Sequence, residues 1–409
     1  MDADSPTFAS VTLAVSGLLD GNAETLVLDG DTFALATAVA GQNTTGGNYL
    51  VVITTGAGTA TLTITKQGGG TFSEIETETL IEAIQYRHTD TSAPTDGDRL
   101  IDVTVYDGAL DSAAARTTIN VNPMNDAPVV TAPGAALSAT EQVGLAIHGT
   151  GFGVSDVDAG GGSATATLNV GEGTLTVVVG TSGVTIVGGN GTGTVTLSGT
   201  IAQINNLLTG GGTGTITYLN GLNAPSASTT LTVTVNDQGN TGADPGLTGT
   251  GTTEEGTNSV TINLSAVNDD PTNVGSLPTD VTVTEDILSN VDLSLIDLSD
   301  VDGGGGNLTV TLTTATGGNL TAVSGGGITV AGSGTGVLTL TGTHANLNTY
   351  LNSAANVQYL HGTANTNGNN ADTITVQVSD NGNTGSGGGG TLSLGTVNVD
   401  ITAQNDAPT

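Results

Sequence analysis

The chain has 409 residues, a large excess of acidic side chains and very few aromatic ones. Its 38 Asp and Glu residues against 4 Lys and Arg give a formal net charge of −34, and only 2% of the residues are aromatic. So few cations exclude a nucleic-acid binder, which needs Lys and Arg to displace counterions. No apolar run is long enough for a membrane-spanning helix, and the absence of Cys excludes disulfides. For domains this rich in Gly, a metal ion is the remaining candidate for a stabilising cross-link.

Three repeats follow one another along the chain. The linker motif Asn-Asp-Ala-Pro at 125–128 returns with small changes at 268–271 and at 405–408, so its copies are almost evenly spaced. This spacing predicts three domains, 1–127, 128–270 and 271–409, called repeats 1, 2 and 3 below. The opening Asp-Ser-Pro-Thr at 4–7 resembles the closing Asp-Ala-Pro-Thr at 406–409, which predicts a fragment of a longer protein cut at a linker on both sides.

The predicted elements come in one order. A Ser-Asp-Val-Asp motif with a Gly run, at 155–162 and 299–306, predicts a loop, and strands that alternate apolar residues with Thr follow it. A short helix is predicted at 74–84, 201–208 and 345–351. A strand with a Tyr, a strand ending in Asp and a last strand then lead into the next linker.

This order predicts an all-β fold of three tandem Ig-like β-sandwich domains with cores of Val, Leu and Ile. A parallel β-solenoid is the main rival fold. The interval between successive linkers is far too long for one coil of such a solenoid.

Acidic residues recur at fixed distances from the linkers. The interval from the linker Asp to the Asp-x-Asp motif is nearly the same in repeats 2 and 3 (126 to 156, and 269 to 300), and the interval to an Asp ending the late strand is identical (126 to 237, and 269 to 380). Calcium prefers six to eight oxygen ligands, and a linker together with loops of its neighbours offers such a set. The candidate ligands are Asn125, Asp126, Asp156, Asp158 and Asp237 between repeats 1 and 2 (joint 1), and Asn268, Asp269, Asp270, Asp300, Asp302 and Asp380 between repeats 2 and 3 (joint 2).

These motifs together resemble cadherin-type repeats, above all the bacterial cadherin-like repeats of giant adhesins secreted by type I (RTX-type) systems. In that family the linker, the Asp-x-Asp loop and the late Asp bind calcium between tandem domains, and a Glu about sixteen residues after a linker serves the far end of its own domain. The resemblance implies that Glu141 serves joint 2, and that Glu285, with Asn405 and Asp406, serves a joint after repeat 3. It also implies a calcium cofactor and an extracellular location at a bacterial cell surface.

Repeat 1 departs from the pattern. It lacks Ser-Asp-Val-Asp, and Asp29-Gly30-Asp31 is the nearest substitute. The family's Asp-Arg-Glu motif before the late strand is not evident, which predicts fewer ions in a joint or a use of backbone carbonyls. All four basic residues, Lys66, Arg87, Arg99 and Arg116, fall in repeat 1, and one hypothesis is that they contact an acidic surface of a neighbouring molecule. Glu254 and Glu255 are predicted to be loop acids.

The sequence favours a structural function and leaves alternatives open. The first interpretation is a non-catalytic, calcium-stiffened rod that carries an adhesive tip or builds matrix, and the second is a self-assembling filament or surface-layer subunit joined to copies of itself by strand addition or shared calcium. Thr rows such as Thr61, Thr63 and Thr65 leave ligand or ice binding open. Catalysis finds little support, because the four His are scattered and no nucleophile elbow is present. The linker motifs also fit ordinary turns between domains.

Overall fold

The computed structural model describes residues 7–249, 253–388 and 390–405, and these fold mostly into β-strands. Strands make up 49% and helices 7% of the structure, which confirms the all-β prediction. The buried apolar residues form three separate clusters, within 11–119, 130–264 and 277–401. The predicted domain limits fall in the strand-free stretches 122–128 and 266–271, and they remain predictions.

Repeat 1 contains one six-stranded and one three-stranded sheet. The elements are β1 (Thr7–Phe8), β2 (Ser10–Ser16), a 3-10 turn (Gly21–Ala23), β3 (Glu24–Leu28), β4 (Asp31–Ala34), β5 (Val39–Asn43), β6 (Tyr49–Gly56), β7 (Thr59–Lys66), β8 (Phe72–Ser73), α1 (Glu74–Ala83), β9 (Gln85–His88), β10 (Gly97–Tyr106) and β11 (Ala115–Val121). The strand order is β11-β10-β2-β7-β6-β5 in the large sheet and β4-β3-β9 in the small one, while β1 pairs with β8.

Repeat 2 has the same layers and begins with additional strands. Its elements are β12 (Val129–Thr131), β13 (Leu137–Thr140), β14 (Leu145–Ala146), β15 (Gly153–Ser155), β16 (Ser163–Val170), β17 (Thr174–Val178), β18 (Thr185–Gly188), β19 (Thr194–Thr200), α2 (Ile201–Leu208), β20 (Thr215–Leu219), β21 (Ser228–Asn236) and β22 (Glu255–Ser265). The large sheet has the order β13-β22-β21-β16-β19-β18, and the small sheet β14-β20-β17.

Repeat 3 has the topology of repeat 2. Its elements are β23 (Thr272–Asn273), β24 (Asp280–Thr284), β25 (Ser289–Asn290), β26 (Leu298–Ser299), β27 (Asn307–Thr314), β28 (Gly318–Ala322), β29 (Thr329–Ala331), β30 (Val337–Thr343), α3 (His344–Leu351), β31 (Val357–His361), β32 (Gly368–Ser379) and β33 (Leu392–Thr402). The large sheet has the order β24-β33-β32-β27-β30-β29, and the small sheet β25-β31-β28.

Alternation of apolar residues and Thr places each strand between core and surface. In β27, Leu308, Val310 and Leu312 are buried, and the Thr residues between them are half-buried on the other face. Opposite Thr residues meet there across strands, as Thr309 Oγ1 and Thr341 Oγ1 do at 3.2 Å. Side chains in a strand alternate between the two faces of its sheet, so this pattern turns one face to the sandwich core.

The three predicted helices are present, and hydroxyl residues cap them. The Thr200 hydroxyl accepts from the Gln203 N–H at 3.2 Å while the Gln203 side chain accepts from the Thr200 N–H at 2.9 Å, a capping box. Ser73 caps α1 in the same way, and α3 begins at His344, one residue before its predicted start. The longest of these helices has ten residues, so none in the described stretches could span a membrane.

Candidate metal centre at the joints

The linkers after repeats 1 and 2 dock in the same way on the repeat that follows. The Asn125 N–H donates to the Ala243 carbonyl at 2.9 Å, and the Ala243 N–H donates to the Pro123 carbonyl at 3.0 Å. At joint 2 the Asn268 N–H donates to the Ser386 carbonyl at 3.2 Å. Each linker therefore lies as a short parallel bridge on the loop after β21 or β32, which fixes its Asn and Asp beside the acids of that repeat.

At joint 1 the five predicted residues form one connected group. The Asn125 amide donates to Asp237 Oδ2 at 2.5 Å, and the Asp126 N–H donates to Asp158 Oδ2 at 3.0 Å. Asp156 Oδ1 accepts from the Asp158 N–H at 3.2 Å, which closes the Asp-x-Asp loop. Asn125, Asp158 and Asp237 are buried, with at most 5% of each residue exposed.

Joint 2 repeats this geometry and adds a carboxylate from the preceding repeat. The Asn268 amide donates to Asp380 Oδ2, and the Asp269 N–H donates to Asp302 Oδ2 at 3.1 Å. Burial, and then the charges of Asp269 and Asp302, raise the pKa of Glu141, which belongs to repeat 2. Glu141 is therefore close to acids of the linker and of repeat 3.

The first strand of the repeat brings Glu141 to this end of the domain. Glu141 follows β13, which runs parallel to the last strand β22, and its N–H donates to the Ser265 carbonyl at 3.1 Å. Within residues 7–249, repeat 1 has no counterpart of β13. In the described part of the chain, joint 1 therefore has no counterpart of the carboxylate that Glu141 gives to joint 2.

Buried oxygen atoms without hydrogen-bond partners concentrate at the joints. In the described part of the chain, eight buried side-chain polar atoms lack a partner, and seven belong to these two groups. They are Asn125 Oδ1, Asp156 Oδ2 and Asp158 Oδ1 at joint 1, and Glu141 Oε2, Asp269 Oδ2, Asp300 Oδ1 and Asp300 Oδ2 at joint 2. Each such group costs about 1–3 kcal/mol, and more when charged. All seven are oxygens, the ligand type that calcium takes, so these residues fit a hard divalent cation.

The acids at the joints also perturb one another's protonation. Burial and the neighbouring Asp156 carboxyl raise the pKa of Asp158 to about 7. At joint 2, burial and the neighbouring Asp302 carboxyl raise the pKa of Asp300 to about 6. Without a cation, these groups compete for protons close to neutral pH.

The arrangement at each joint is open. Among residues 7–249, 253–388 and 390–405, no three carboxyl groups of a joint have ligand oxygens within 4.8 Å of one another. The amide oxygens of Asn125 and Asn268 add to the carboxylates in each group. A bound cation has to draw the acids inward to complete a coordination shell.

A tighter cluster of acids lies inside repeat 1 and does not fit a metal. Asp20, Glu24 and His88 have ligand atoms within 4.8 Å of one another. The Arg99 guanidinium lies between the acids, with Nε 2.5 Å from Glu24 Oε1 and Nη2 2.9 Å from Asp20 Oδ2. Because the cation that these carboxylates need is already supplied by Arg99, the cluster is an internal ion network.

The end of repeat 3 is only partly described. The Glu285 carboxylate accepts from the Gln404 N–H and, at 2.7 Å, from the Asn367 amide. Asn405 is exposed, and the predicted ligand Asp406 lies outside the described residues, so a joint here stays a prediction. On the preceding linker, Asp270 is exposed while Asn268 is buried.

The substitute predicted for the Asp-x-Asp motif in repeat 1 is wrong in position. Asp29 and Gly30 form the turn between β3 and β4, with φ angles of 49° and 86°. In repeats 2 and 3 the motif precedes β16 and β27, which correspond to β2. The Asp29 carboxylate instead accepts from Thr44 Oγ1 at 2.5 Å and from the Asn48 amide at 2.9 Å, so it holds the neighbouring hairpin.

Most of the basic residues of repeat 1 have partners inside it. Lys66 Nζ lies 2.6 Å from Glu76 Oε1, Arg116 Nη2 lies 2.7 Å from Asp102 Oδ2, and Arg99 is buried with Glu24. These contacts remove the reason to expect that those three bases bind a neighbouring molecule. Arg87 is exposed.

Besides Glu24, two further buried acids belong to polar networks that the sequence did not predict. Glu254, predicted to be a loop acid, is fully buried, and its N–H donates to Asp237 Oδ1 at 2.9 Å, which supports a joint 1 residue. Asp372 accepts from the Tyr359 hydroxyl at 2.8 Å and from the backbone of 315–318. Neither lies in a motif, and only the strands around them give them these positions.

Comparison with known proteins gives structural neighbours only. No protein-family model and no curated protein sequence matches the chain. Matching solved structures include cadherin domains 3–6 of protocadherin gamma B2 (12% identity, TM-score 0.28, 87% of this chain and 65% of that one). They also include EC22–24 of mouse cadherin-23 (14% identity, TM-score 0.31, 96% of this chain and 86% of that one). A third is EC1–4 of Drosophila N-cadherin (13% identity, TM-score 0.30, 95% of this chain and 67% of that one). The chain thus spans just under two thirds of the first structure, and at these scores the fold assignment rests on the strand order described above.

Proposed function

We propose that the chain is a non-catalytic extracellular spacer in which calcium stiffens the joints between three cadherin-like domains. The proposed domains are 1–127, 128–270 and 271–409. The observation that carries this proposal is the group of seven buried, unpartnered oxygen atoms at the two joints. Turn residues on a protein surface would have their oxygens in water, where they cost nothing to leave unpaired.

The residues that would hold the ions come from both sides of a joint. At joint 2 these are Glu141 from repeat 2, Asn268 and Asp269 from the linker, and Asp300, Asp302 and Asp380 from repeat 3. At joint 1 they are Asn125, Asp126, Asp156, Asp158 and Asp237. Calcium supplies positive charge that offsets the repulsion among these carboxylates. Because Glu141 and Asp302 belong to different repeats, an ion bound by both would fix the angle between them.

A spacer of this kind would extend an adhesive tip from a cell or build extracellular matrix. The placement at a bacterial surface rests on the resemblance of the linker, Asp-x-Asp and late-Asp motifs to the repeats of giant adhesins. The partners proposed are the neighbouring repeats and other copies of the chain. The net charge of −34 opposes non-specific association between such copies.

Thermal unfolding with chelator and with millimolar calcium tests the proposal. We expect calcium to raise the Tm by several degrees, since a ligand that binds only the folded state stabilises it. Asp156→Ala with Asp300→Ala should remove most of that rise. Glu78→Gln, which neutralises an exposed acid of α1, should leave the rise intact. An unchanged Tm in calcium would mean that the joint acids are not metal ligands.

A further inference from the structure

A histidine completes the buried ion network of repeat 1. His88 ends β9, opposite Glu24 of β3, and its side chain is 11% exposed. Its Nε2 lies 2.9 Å from Asp20 Oδ2, and its Nδ1 lies 2.6 Å from the Asp90 carbonyl oxygen. Carboxylate and carbonyl oxygens only accept hydrogen bonds, and a neutral imidazole has a single N–H. Both contacts therefore form only when each ring nitrogen carries a proton.

The charges of the network balance when the ring is an imidazolium. Asp20 and Glu24 contribute two negative charges, and the Arg99 guanidinium, which contacts both carboxylates, contributes one positive charge. The Glu24 and Arg99 side chains are fully buried, and that of Asp20 is 15% exposed. An uncompensated charge in such surroundings destabilises a fold. A doubly protonated His88 supplies the second positive charge.

Two more titratable groups lie near the histidine ring and have partners of their own. The Tyr86 hydroxyl donates to Glu24 Oε1 at 3.0 Å. The Asp90 carboxylate accepts from the backbone N–H groups of residues 92–93. The carboxylate that the charged ring contacts is therefore that of Asp20.

Two other histidines have surroundings that a neutral ring satisfies. His148 Nδ1 lies 3.1 Å from the Ile216 nitrogen, so without a proton it accepts from that N–H. His361 Nδ1 accepts from the Thr363 N–H at 3.2 Å, while its Nε2 donates to the Thr316 carbonyl at 3.1 Å. Of these three rings, that of His88 is the one whose contacts require two protons.

His88 and Asp20 together hold the segment 89–96 between β9 and β10, which is called the strap below. His88 directly precedes the strap and contacts the Asp90 carbonyl near its start. Near its other end, the Thr95 N–H donates to Asp20 Oδ2 at 3.0 Å, and the Thr95 hydroxyl donates to Asp20 Oδ1. The Asp20 carboxylate thus ties the two ends of the strap together.

The strap lies at the end of repeat 1 that leads into joint 1. Gly97, the residue after the strap, pairs with Val121, the last residue of β11. The linker that follows β11 contains Asn125, whose amide donates to Asp237 at joint 1. A change in the order of the strap therefore takes place beside the linker.

We propose that His88 makes the strap sensitive to pH: the strap is fixed while the ring carries two protons and is released when one of them leaves. A neutral ring turns a lone pair toward an oxygen, so the contact with Asp20 or the contact with the Asp90 carbonyl is lost. The network then also keeps one uncompensated negative charge. This inference does not depend on calcium, because none of these residues is a proposed ligand.

Nitrogen-15 NMR of the full chain with labelled histidine tests the protonation of the ring. We expect both ring nitrogens of His88 to carry protons at about pH 5.5 and only one to do so at about pH 8.5, two values that bracket the range in which histidine ordinarily changes charge. A ring with a single proton at the lower pH would overturn the proposal.

Amide hydrogen exchange at the same two pH values and one fixed calcium concentration tests the release of the strap. The Thr95 N–H, which donates to Asp20, is the direct reporter, and each observed rate is divided by the intrinsic rate at that pH. We expect protection of this amide in the wild-type chain to fall by about tenfold from the lower to the higher pH, because a hydrogen bond to a charged group suppresses local opening.

Two variants separate the charge of the ring from its packing. His88→Gln should show low protection of Thr95 at both pH values, and His361→Gln, the matched control, should show the same fall as the wild-type chain. Equal protection of the wild-type strap at both pH values would contradict the proposal, and this comparison needs no variant. A fall of the same size in His88→Gln would contradict it as well, because another group would then be the one that titrates.

Discussion

At the scale of single residues, two kinds of surroundings shift the pKa values of carboxylates in the described part of the chain. Burial alone raises the pKa of Asp372 and Glu24, but hydrogen-bond donors outweigh it, and both pKa values are lowered. Asp158, Asp300 and Glu141 are surrounded by other acids, and their pKa values are raised. The first kind stabilises the fold as it stands, and the second kind carries the charge that the proposed calcium would offset.

Glu141 and Glu285 provide a matched pair of substitutions. Without calcium, Glu141→Gln should raise or preserve the Tm, because it removes a buried charge that Asp269 and Asp302 repel and whose Oε2 has no hydrogen-bond partner. In calcium the same variant should lose part of the calcium-dependent rise. Glu285→Gln should lower the Tm without calcium, because that carboxylate already has the Gln404 N–H and Asn367 as donors. Thermal unfolding in both conditions measures this, and equal behaviour of the two variants would contradict a metal role for Glu141.

Stability should depend on pH in opposite ways with and without calcium. Between about pH 5 and 7 the folded chain holds protons on Asp158 and Asp300 that the unfolded chain, with pKa values near 4, has lost. Raising the pH through this window therefore lowers the free energy of unfolding in chelator. Calcium needs the deprotonated acids, so its stabilisation should grow over the same range. The acids with lowered pKa values take up protons only below about pH 4, so they do not change the stability within this window. Denaturant unfolding at several pH values tests it, and a rise in stability with pH in chelator would disprove it.

The buried ion network of repeat 1 should be far more sensitive than the surface ion pair beside it. Arg99→Met leaves Glu24, whose side chain is fully buried, without its cation, and we expect a loss of about 3–5 kcal/mol. Arg116→Met breaks the exposed pair with Asp102, which is worth about 0–1 kcal/mol. Urea unfolding compares the two variants, and similar losses would argue against the buried network.

At the scale of elements, the first strand separates repeat 1 from the other two. β13 and β24 cover the last strand of their sheets, so the residues beneath them are buried, whereas among the described residues β11 is an edge. Equivalent positions of one motif therefore have different surroundings. Thr117 of repeat 1 is exposed, and its counterpart Val397 of repeat 3 is fully buried.

Exchanging the residue types at these positions tests the difference. Val397→Thr buries a hydroxyl in a tight core, and we expect a cost of about 1–3 kcal/mol. Thr117→Val adds an apolar group at an exposed position and should change stability by less than about 0.5 kcal/mol. Chemical denaturation measures both, and a clear stabilisation by Thr117→Val would mean that this edge is covered in solution.

At the scale of the whole molecule, repulsion between acidic residues disfavours a fixed angle at each joint. Repeats 1, 2 and 3 carry −13, −10 and −11, and each joint gathers at least four Asp residues. We expect small-angle X-ray scattering to show a broad range of joint angles in chelator and a narrower range in calcium. Sodium chloride at equal ionic strength is the control, because screening alone should not narrow the range of joint angles. Equal narrowing by both salts would argue against ions bound at specific sites.

The sequence by itself determined the elements that depend on local patterns. Alternation of Thr with Val and Leu specified the strands. A hydroxyl residue, Ser73, Thr200 or Thr343, precedes each short helix. The repeated spacing of Asp156, Asp158 and Asp237 also identified residues that the fold brings together at joint 1. Such features are readable because each depends on residues close in sequence or on an internal repeat.

Only the tertiary structure decided which acids have partners. Glu24 meets Arg99 across 75 residues, and Asp372 meets Tyr359 across two strands of different sheets, although neither pair belongs to a motif. The position of β11 at the edge of its sheet, among the described residues, likewise became visible only from sheet order. Pairing between strands distant in sequence decides both the partners of the buried acids and the edge of each sheet, because it fixes which side chains meet in the interior and which strand lies outermost.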